Sequence, residues 1–275
     1  MQFFGKVIDI LNYKAETPQL FGWVHILSFC LAIALGIFLS VKFKRSGQSA
    51  TRRILLAASV ITIALEIYKQ FIFSFSFDGQ TVSFDYQWYA FPFQFCSTPM
   101  YVQLIAAFVK NKLLHNALCS FLSTYGIFGG LVVMIYPADV FIDVVGVNIQ
   151  TMVCHGLMLS VGIYLLAVGH VKSEHKTMLG AMSVFGVIVA VAVILNEALY
   201  YSGVLGGETC NLLYVSRHFA PSLPVYSLVQ AVVPYPFCLF IYVAGFSAAA
   251  YLILLCAIGV RKIADAVRAK RALTV

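Results

Sequence analysis

FPFQFCSTPMYVQLIAAFV, residues 91–109, has the apolar length of a membrane-spanning helix but an odd beginning. Two prolines bracket a glutamine, a cysteine, a serine and a threonine before the run settles into aliphatic residues. A helix rises about 1.5 Å per residue, so roughly 20 apolar residues cross a hydrocarbon core about 30 Å thick. By that measure 91–109 is the third of seven spans. The others lie at about 21–42, 53–75, 112–135, 150–171, 178–201 and 236–260. The expected fold is an all-α polytopic membrane bundle that occupies 1–275 as a single integral membrane domain. Residues 1–20 form an interfacial N-terminal segment, and 202–235 a long outer loop or lid.

Composition agrees. Of 275 residues, 61% are hydrophobic and 11% charged, with mean hydropathy +0.90, whereas soluble domains carry about 25% charged residues. No cleavable signal peptide is expected, because the first apolar run is of spanning length and starts only after Leu20. The net charge of +7 is not the mark of a nucleic-acid binder, since its placement follows the spans. Lys42, Lys44, Arg45, Arg52, Arg53, Lys110, Lys112, Lys172, Lys176, Arg261, Lys262, Arg268, Lys270 and Arg271 fall on one side. Only Lys6, Lys14 and Arg217 fall on the other. The positive-inside rule then puts the N-terminus outside and the C-terminus in the cytoplasm, with the basic loops against anionic headgroups. The seven cysteines lie mostly within spans and make no disulfide framework; Cys210, in the outer loop, is the one disulfide candidate, without an obvious partner.

Phe3, Phe4, Val7, Ile8 and Leu11 recur at helical spacing, as in a short interfacial helix. Trp23, Trp88, Tyr89, Tyr200 and Tyr201 belong to an aromatic belt near the outer span ends. Ser120, Ser123, Gly126, Gly129 and Gly130 read as a small-residue packing face on span four. No repeat, Walker loop, GxGxxG or CxxC is present.

Combining orientation with position places nearly every intramembrane polar residue on the outer side of the midplane: His25, Glu66, Lys69, Gln70, Gln94, Cys96, Thr151, His155, Asn196 and Glu197. An ionisable group in mid-membrane costs on the order of 2.5–3.5 kcal/mol on insertion scales, so it is retained for a partner or a task. Glu66 and Lys69, three apart, are either a self-neutralising pair or a device that orients His25 or His155 or neutralises a headgroup. His155 alone reads as an interhelical hydrogen-bond donor, and Cys96 alone as packing. Their matched depth on two inward-running spans adds another reading. Imidazole can take the thiol proton and the thiolate attack an acyl ester, with Pro99 loosening the helix beside Cys96.

FPFQFC (91–96), GIFGGLVVMIYP (126–137), CHG (154–156) and CNLLY (210–214) resemble, in order, the YwaF-like family of bacterial integral membrane proteins, which is similar to vertebrate transmembrane protein 164. The resemblance covers most of the chain, including His25 near the start of span one. It implies a bacterial cytoplasmic membrane and an acyltransferase acting on phospholipid acyl chains, with Cys96 carrying the acyl group and His155 as its partner. The fold is also similar to the androgen-induced-gene lipid hydrolases, which use threonine and histidine. Two positions depart from the family pattern. Gln94 stands where histidine is frequent, and Asn211-Leu-Leu stands where Asn-Tyr-Met is common.

The function expected is thus a thiol-dependent acyltransferase or lipid hydrolase near the outer leaflet. Cys96 and His155 would be catalytic, with His25, Glu66, Lys69, Gln94, Asn196 and Asn211 supporting or binding substrate. Phospholipids are the expected partner; no cofactor and no metal are expected. The alternative is a transporter or small-molecule-binding protein using the same polar cluster, although no inverted repeat is visible. A zinc hydrolase is set aside because no H-x-x-x-H or H-x-x-E-H pair occurs.

Overall fold

The computed structural model describes residues 2–221 and 223–273. Among the described residues the regular secondary structure is helical apart from one short hairpin and an isolated bridge between Lys14 and Val144. Helices α1 (Gln2–Leu11), α2 (Trp23–Lys42) and α3 (Gln48–Ile72) are followed by strands β1 (Phe75–Phe77) and β2 (Val82–Phe84). Then come α4 (Thr98–Phe108), α5 (Lys112–Phe121), a π turn (Leu122–Gly126), α6 (Ile127–Ile135), α7 (Val145–Ala167), α8 (Thr177–Ser202), α9 (Pro224–Val232) and α10 (Tyr235–Leu273). Six helices among the described residues are long and apolar enough to cross a membrane; α5, the π turn and α6 count as one.

The third crossing is built differently from the expected helix 91–109. Only Thr98–Phe108 is α-helical. Residues 91–97 fold into turns, with the Gln94 carbonyl accepting from both the Ser97 and Thr98 N–H groups. Pro99 therefore does not break a helix beside Cys96. It sits in the first turn of α4, where its missing N–H would have had no intrahelical partner anyway. The segment nevertheless traverses the bundle antiparallel to α3. Gln70 donates to Ala90 O at 2.7 Å, Ser59 to Met100 O at 2.8 Å and Arg52 to Ala107 O at 2.8 Å. As the number climbs from 90 to 107, its partner falls from 70 to 52, so the chain runs the length of α3.

The basic loops gather at one end. Arg52 joins the start of α3 to the end of α4, His115 on α5 meets His170 after α7 at 2.9 Å, and His175 meets Tyr251 of α10 at 2.6 Å. At the opposite end α1 packs on the hairpin, Phe4 edge-on to Phe75, and Lys14 pairs with Asp143 at 2.9 Å.

Helix α7 is the buried centre, packed against α2, α3 and α6. α2 and α10 are peripheral and expose apolar rows such as Ile26, Leu31 and Phe38, and Phe237, Phe240 and Leu252. An apolar exterior suits a solvent of hydrocarbon, where backbone groups must be satisfied within each helix. The small-residue face closes the α6–α7 contact at Gly129 and Gly130, whereas Gly126 approaches its neighbours only at ordinary contact distance. Helix α10 continues well beyond residue 260 as a charged, exposed helix. Hydropathy marked only its apolar half.

The described residues between α8 and α10 do not hang loose. Cys210, Leu212, Leu213, Val215 and Ser216 are buried, and α9 packs back on α10. Cys210 is a free thiol.

Candidate active site

Two cavities meet near the end of the bundle opposite the basic loops. The smaller, about 220 Å3, lies between α3, the turn before α4, and α7. The larger, about 790 Å3, lies between α6, α10 and the 209–223 segment. Cys96, His155, Gln94 and Asp139 line both, so the thiol and the imidazole sit on the wall that the two cavities share.

Local sequence explains how Cys96 arrives there. The ring of Phe95 packs among Phe246 (5.2 Å between centroids), Phe185 (6.0 Å) and Phe128 (6.5 Å). Such pairs contribute about 0.5–1.5 kcal/mol each beyond burial. Thr98 donates to Phe95 O at 3.0 Å, and Tyr101 donates to Pro92 O at 2.9 Å. The turn is thus held at both ends, and Cys96 points from it just ahead of the N-terminus of α4.

His155 is buried on α7. Its Nδ1 lies 2.7 Å from Thr151 O. A carbonyl can only accept, so Nδ1 carries the hydrogen and Nε2 presents its lone pair. Among the described residues no group hydrogen-bonds Nε2.

The other expected residues divide. Glu66 is a hub in the smaller cavity: Lys69 pairs with it at 2.8 Å, and Gln70 and Gln150 donate to it at 2.8 and 3.3 Å. The Glu66–Lys69 pair forms as expected but hydrogen-bonds neither His25 nor His155. His25 lies outside both cavities. Its Nδ1 accepts from Phe21 N–H at 3.0 Å and its Nε2 donates to Met134 O at 2.9 Å. Nδ1 thus holds the turn before α2 and Nε2 ties α2 to the end of α6, so both nitrogens of His25 are engaged away from the two cavities.

Asn196 also lies away from the cavities. It holds Leu212 through both backbone groups, accepting its N–H at 2.9 Å and donating to its carbonyl at 3.1 Å. Gln94 accepts from Leu213 N–H at 3.2 Å. Asn211, on the wall of the larger cavity, accepts from Ser216 N–H at 2.9 Å and donates to Phe219 O at 3.0 Å. These amides fasten a turn in which Leu213 (φ 53°) and Tyr214 (φ 60°) adopt left-handed backbone, a conformation costing a bulky residue on the order of 1–3 kcal/mol.

Three residues were not singled out from the sequence. Gln150 reaches Glu66. Asp139, in the α6–α7 connection, brings a carboxylate to both cavities. Gln103 lines the smaller cavity with its Oε1 buried and without a hydrogen-bond partner. A buried amide oxygen left unpaired costs about 1–3 kcal/mol, so that chamber offers an acceptor to a donor brought by a ligand.

A membrane bundle with a thiol and an imidazole on the wall between two cavities defines a polytopic integral membrane protein with a buried polar site. The chain belongs to the TMEM164 family, whose model matches residues 20–258. No curated protein and no solved structure matches the chain.

Proposed function

We propose that this chain is a membrane-embedded, thiol-dependent acyltransferase or lipid hydrolase acting on phospholipid acyl chains, with Cys96 as nucleophile and His155 as base. The observation that carries this reading is that the two residues, from separate elements, line the same two cavities while His155 keeps Nε2 uncommitted.

In the proposed cycle, Nε2 takes the Cys96 proton and the thiolate attacks the ester carbonyl carbon. The tetrahedral intermediate collapses with cleavage of the acyl C–O bond. The departing lysolipid oxygen takes the proton back from the imidazolium and leaves a thioester on Cys96. An acceptor hydroxyl or water, deprotonated by His155, then attacks the thioester, and the thiolate departs and is reprotonated. Among the described residues Lys69 is the only lysine or arginine lining either cavity, and in the proposed cycle its ammonium, paired with Glu66, brings positive charge toward the developing oxyanion. The larger cavity, walled by Phe95, Phe128, Phe219, Tyr242 and Phe246, suits an acyl chain, and its volume falls within the roughly 300–1,000 Å3 of small-ligand pockets. By the positive-inside rule the site faces the outer leaflet.

Proteoliposomes containing a phospholipid with an alkyne-tagged acyl chain provide the test. Wild type should acquire a hydroxylamine-sensitive acyl label, Cys96→Ala none, and His155→Ala should acylate about 10²–10⁴-fold more slowly, the usual contribution of general base catalysis. Equal labelling of wild type and Cys96→Ala sinks the covalent route. Solute flux with no lipid product favours a transporter built on the same polar cluster.

A further inference from the structure

His115, Cys119 and His170 bring three potential metal ligands together at the basic end of the bundle, opposite the end that holds Cys96 and His155. His115 and Cys119 are buried, one turn apart on α5. His170 follows α7, where Gly169 takes φ 72° and Val171 N–H donates back to Leu165 O at 3.1 Å. That reversal aims the His170 ring at α5. One potential ligand atom from each of the three lies within 4.8 Å of the others, and His115 Nε2 stands 2.9 Å from His170 Nε2 and 3.6 Å from Cys119 Sγ. We propose that they bind a borderline transition-metal dication of the zinc class, a site that stands independently of the acyl-transfer reading.

Three features support a cation here. First, the His115 ring is pre-oriented. Its Nδ1–H donates to Ala106 O at 2.9 Å, the outer-shell bond that ligating histidines usually make, and this leaves Nε2 as a lone pair.

Second, without a cation that lone pair is over-subscribed. His170 Nε2 lies 2.9 Å from it and Cys119 Sγ 3.6 Å. Two hydrogens compete for one acceptor site in a buried position.

Third, the spacing fits. Zinc bonds of about 2.0–2.1 Å to nitrogen and 2.3 Å to sulfur, at tetrahedral angles, put N and S about 3.6 Å apart and two N about 3.4 Å apart. The N–S separation already matches. The N–N separation has to widen by roughly half an ångström to reach that geometry, and His170, partly exposed on its turn, can supply the movement.

Binding balances simply. Cys119 releases its S–H proton to solvent, the His170 hydrogen passes from Nε2 to Nδ1 by exchange with water so that Nε2 presents a lone pair, and the dication takes the place of both hydrogens. Arg52, held by the Ala107 and Val109 carbonyls, is the charged group facing the cluster. Its repulsion of the cation is offset by the Cys119 thiolate. Three protein ligands leave a fourth position for water. The metal would pin the α7–α8 turn to α5.

The sequence expectation of no metal rested on the absence of H-x-x-x-H. The pair here is H-x-x-x-C, completed by a histidine from another connection.

The test uses full-length protein purified without a polyhistidine tag, stripped with chelator and then dialysed against zinc. The expected result is one zinc per chain, a rise in Tm with zinc, and, on cobalt substitution, a thiolate-to-cobalt charge-transfer band. Cys119→Ser should lose the band, and His170→Ala should weaken zinc at least tenfold. Cys96→Ala should keep full zinc, which separates this site from the proposed catalytic one. Substoichiometric zinc in wild type, a cobalt spectrum without thiolate character, or undiminished zinc in Cys119→Ser overturns the proposal. Should Cys119→Ser fail to fold, the exposed-side variant His170→Ala decides by the same readouts.

Discussion

Gly130 of α6 lies directly against the backbone of His155: a Cβ built at 130 would stand 2.8 Å from His155 O and 3.0 Å from Leu159 N. Both obstacles are main-chain atoms of the helix that carries the imidazole, so neither can swing aside. Gly130→Ala must push α6 and α7 apart at the level of the site. Overpacking of this kind costs about 1–3 kcal/mol, and it should also shift the His155 ring on the cavity wall it shares with Cys96. Unfolding in detergent and acyl labelling should fall together. Gly186→Ala on α8, where nothing lies within 4 Å, serves as the control and should be neutral or stabilising by up to about 1 kcal/mol.

A second prediction concerns Glu66 and Lys69, whose side chains are only 7% and 12% exposed. A buried pair is a weak source of net stability, but removing one partner strands the other charge at a cost on the order of 3–5 kcal/mol. Glu66→Gln should therefore destabilise strongly, and Glu66→Gln with Lys69→Met should recover most of the loss. Chemical denaturation of the single and double variants checks this. A double variant no better than Glu66→Gln would show that Glu66 matters for something besides neutralising Lys69.

The third prediction is a pH dependence far from the site. The Asp78 carboxylate caps the β1–β2 turn, accepting from Thr81 N–H at 2.7 Å, the Thr81 hydroxyl at 2.7 Å and Gln80 N–H at 2.8 Å. Those bonds, the Thr81 backbone N–H foremost, hold its pKa down at about 2. A carboxyl with a depressed folded pKa stabilises the turn above its unfolded value and loses that contribution as pH falls through the folded one. Hairpin amides should keep their hydrogen-exchange protection from neutral pH down to about 4 and lose it only toward pH 2. In Asp78→Ala protection should be low throughout. Loss of protection already at pH 5 in wild type contradicts the capping role.

The crossings were legible because hydrocarbon demands long apolar helices, and that demand is written residue by residue. The details that were not legible depend on relations between segments. Nothing local to 91–109 tells whether Pro99 kinks a helix or begins one. The answer lies in the Gln94 carbonyl, which closes a turn upstream and starts α4 at Thr98. Cys96 and His155 could be matched in depth from span direction alone, since depth needs only a count along each helix. Gln103, Gln150 and His25 needed helix rotation as well: one puts an unpaired amide into a cavity, one reaches Glu66, and one spends one nitrogen on the turn before α2 and the other on α6. His170 was invisible as a ligand because its direction is set by the reversal at Gly169.

The last prediction tests whether the 209–223 wall is held in place by amides from other segments. Asn196 satisfies both backbone groups of Leu212, next to two residues in left-handed conformation, and Gln94 takes the N–H of the first of these, Leu213. Strained backbone persists only where its surroundings over-determine it. Asn196→Ala leaves a buried N–H and C=O unpaired, at about 1–3 kcal/mol each, and removes the support next to the strain. Gln94→Ala removes one bond at the cavity itself. Hydrogen exchange at Leu212–Ser216 should rise in both variants, more in Asn196→Ala. Acyl labelling should fall in both, although Asn196 touches neither cavity and contributes only through the wall it holds. If Asn196→Ala frees the turn yet leaves labelling intact, the wall does not shape the acyl chamber, and the larger cavity loses its assigned part in binding the lipid chain.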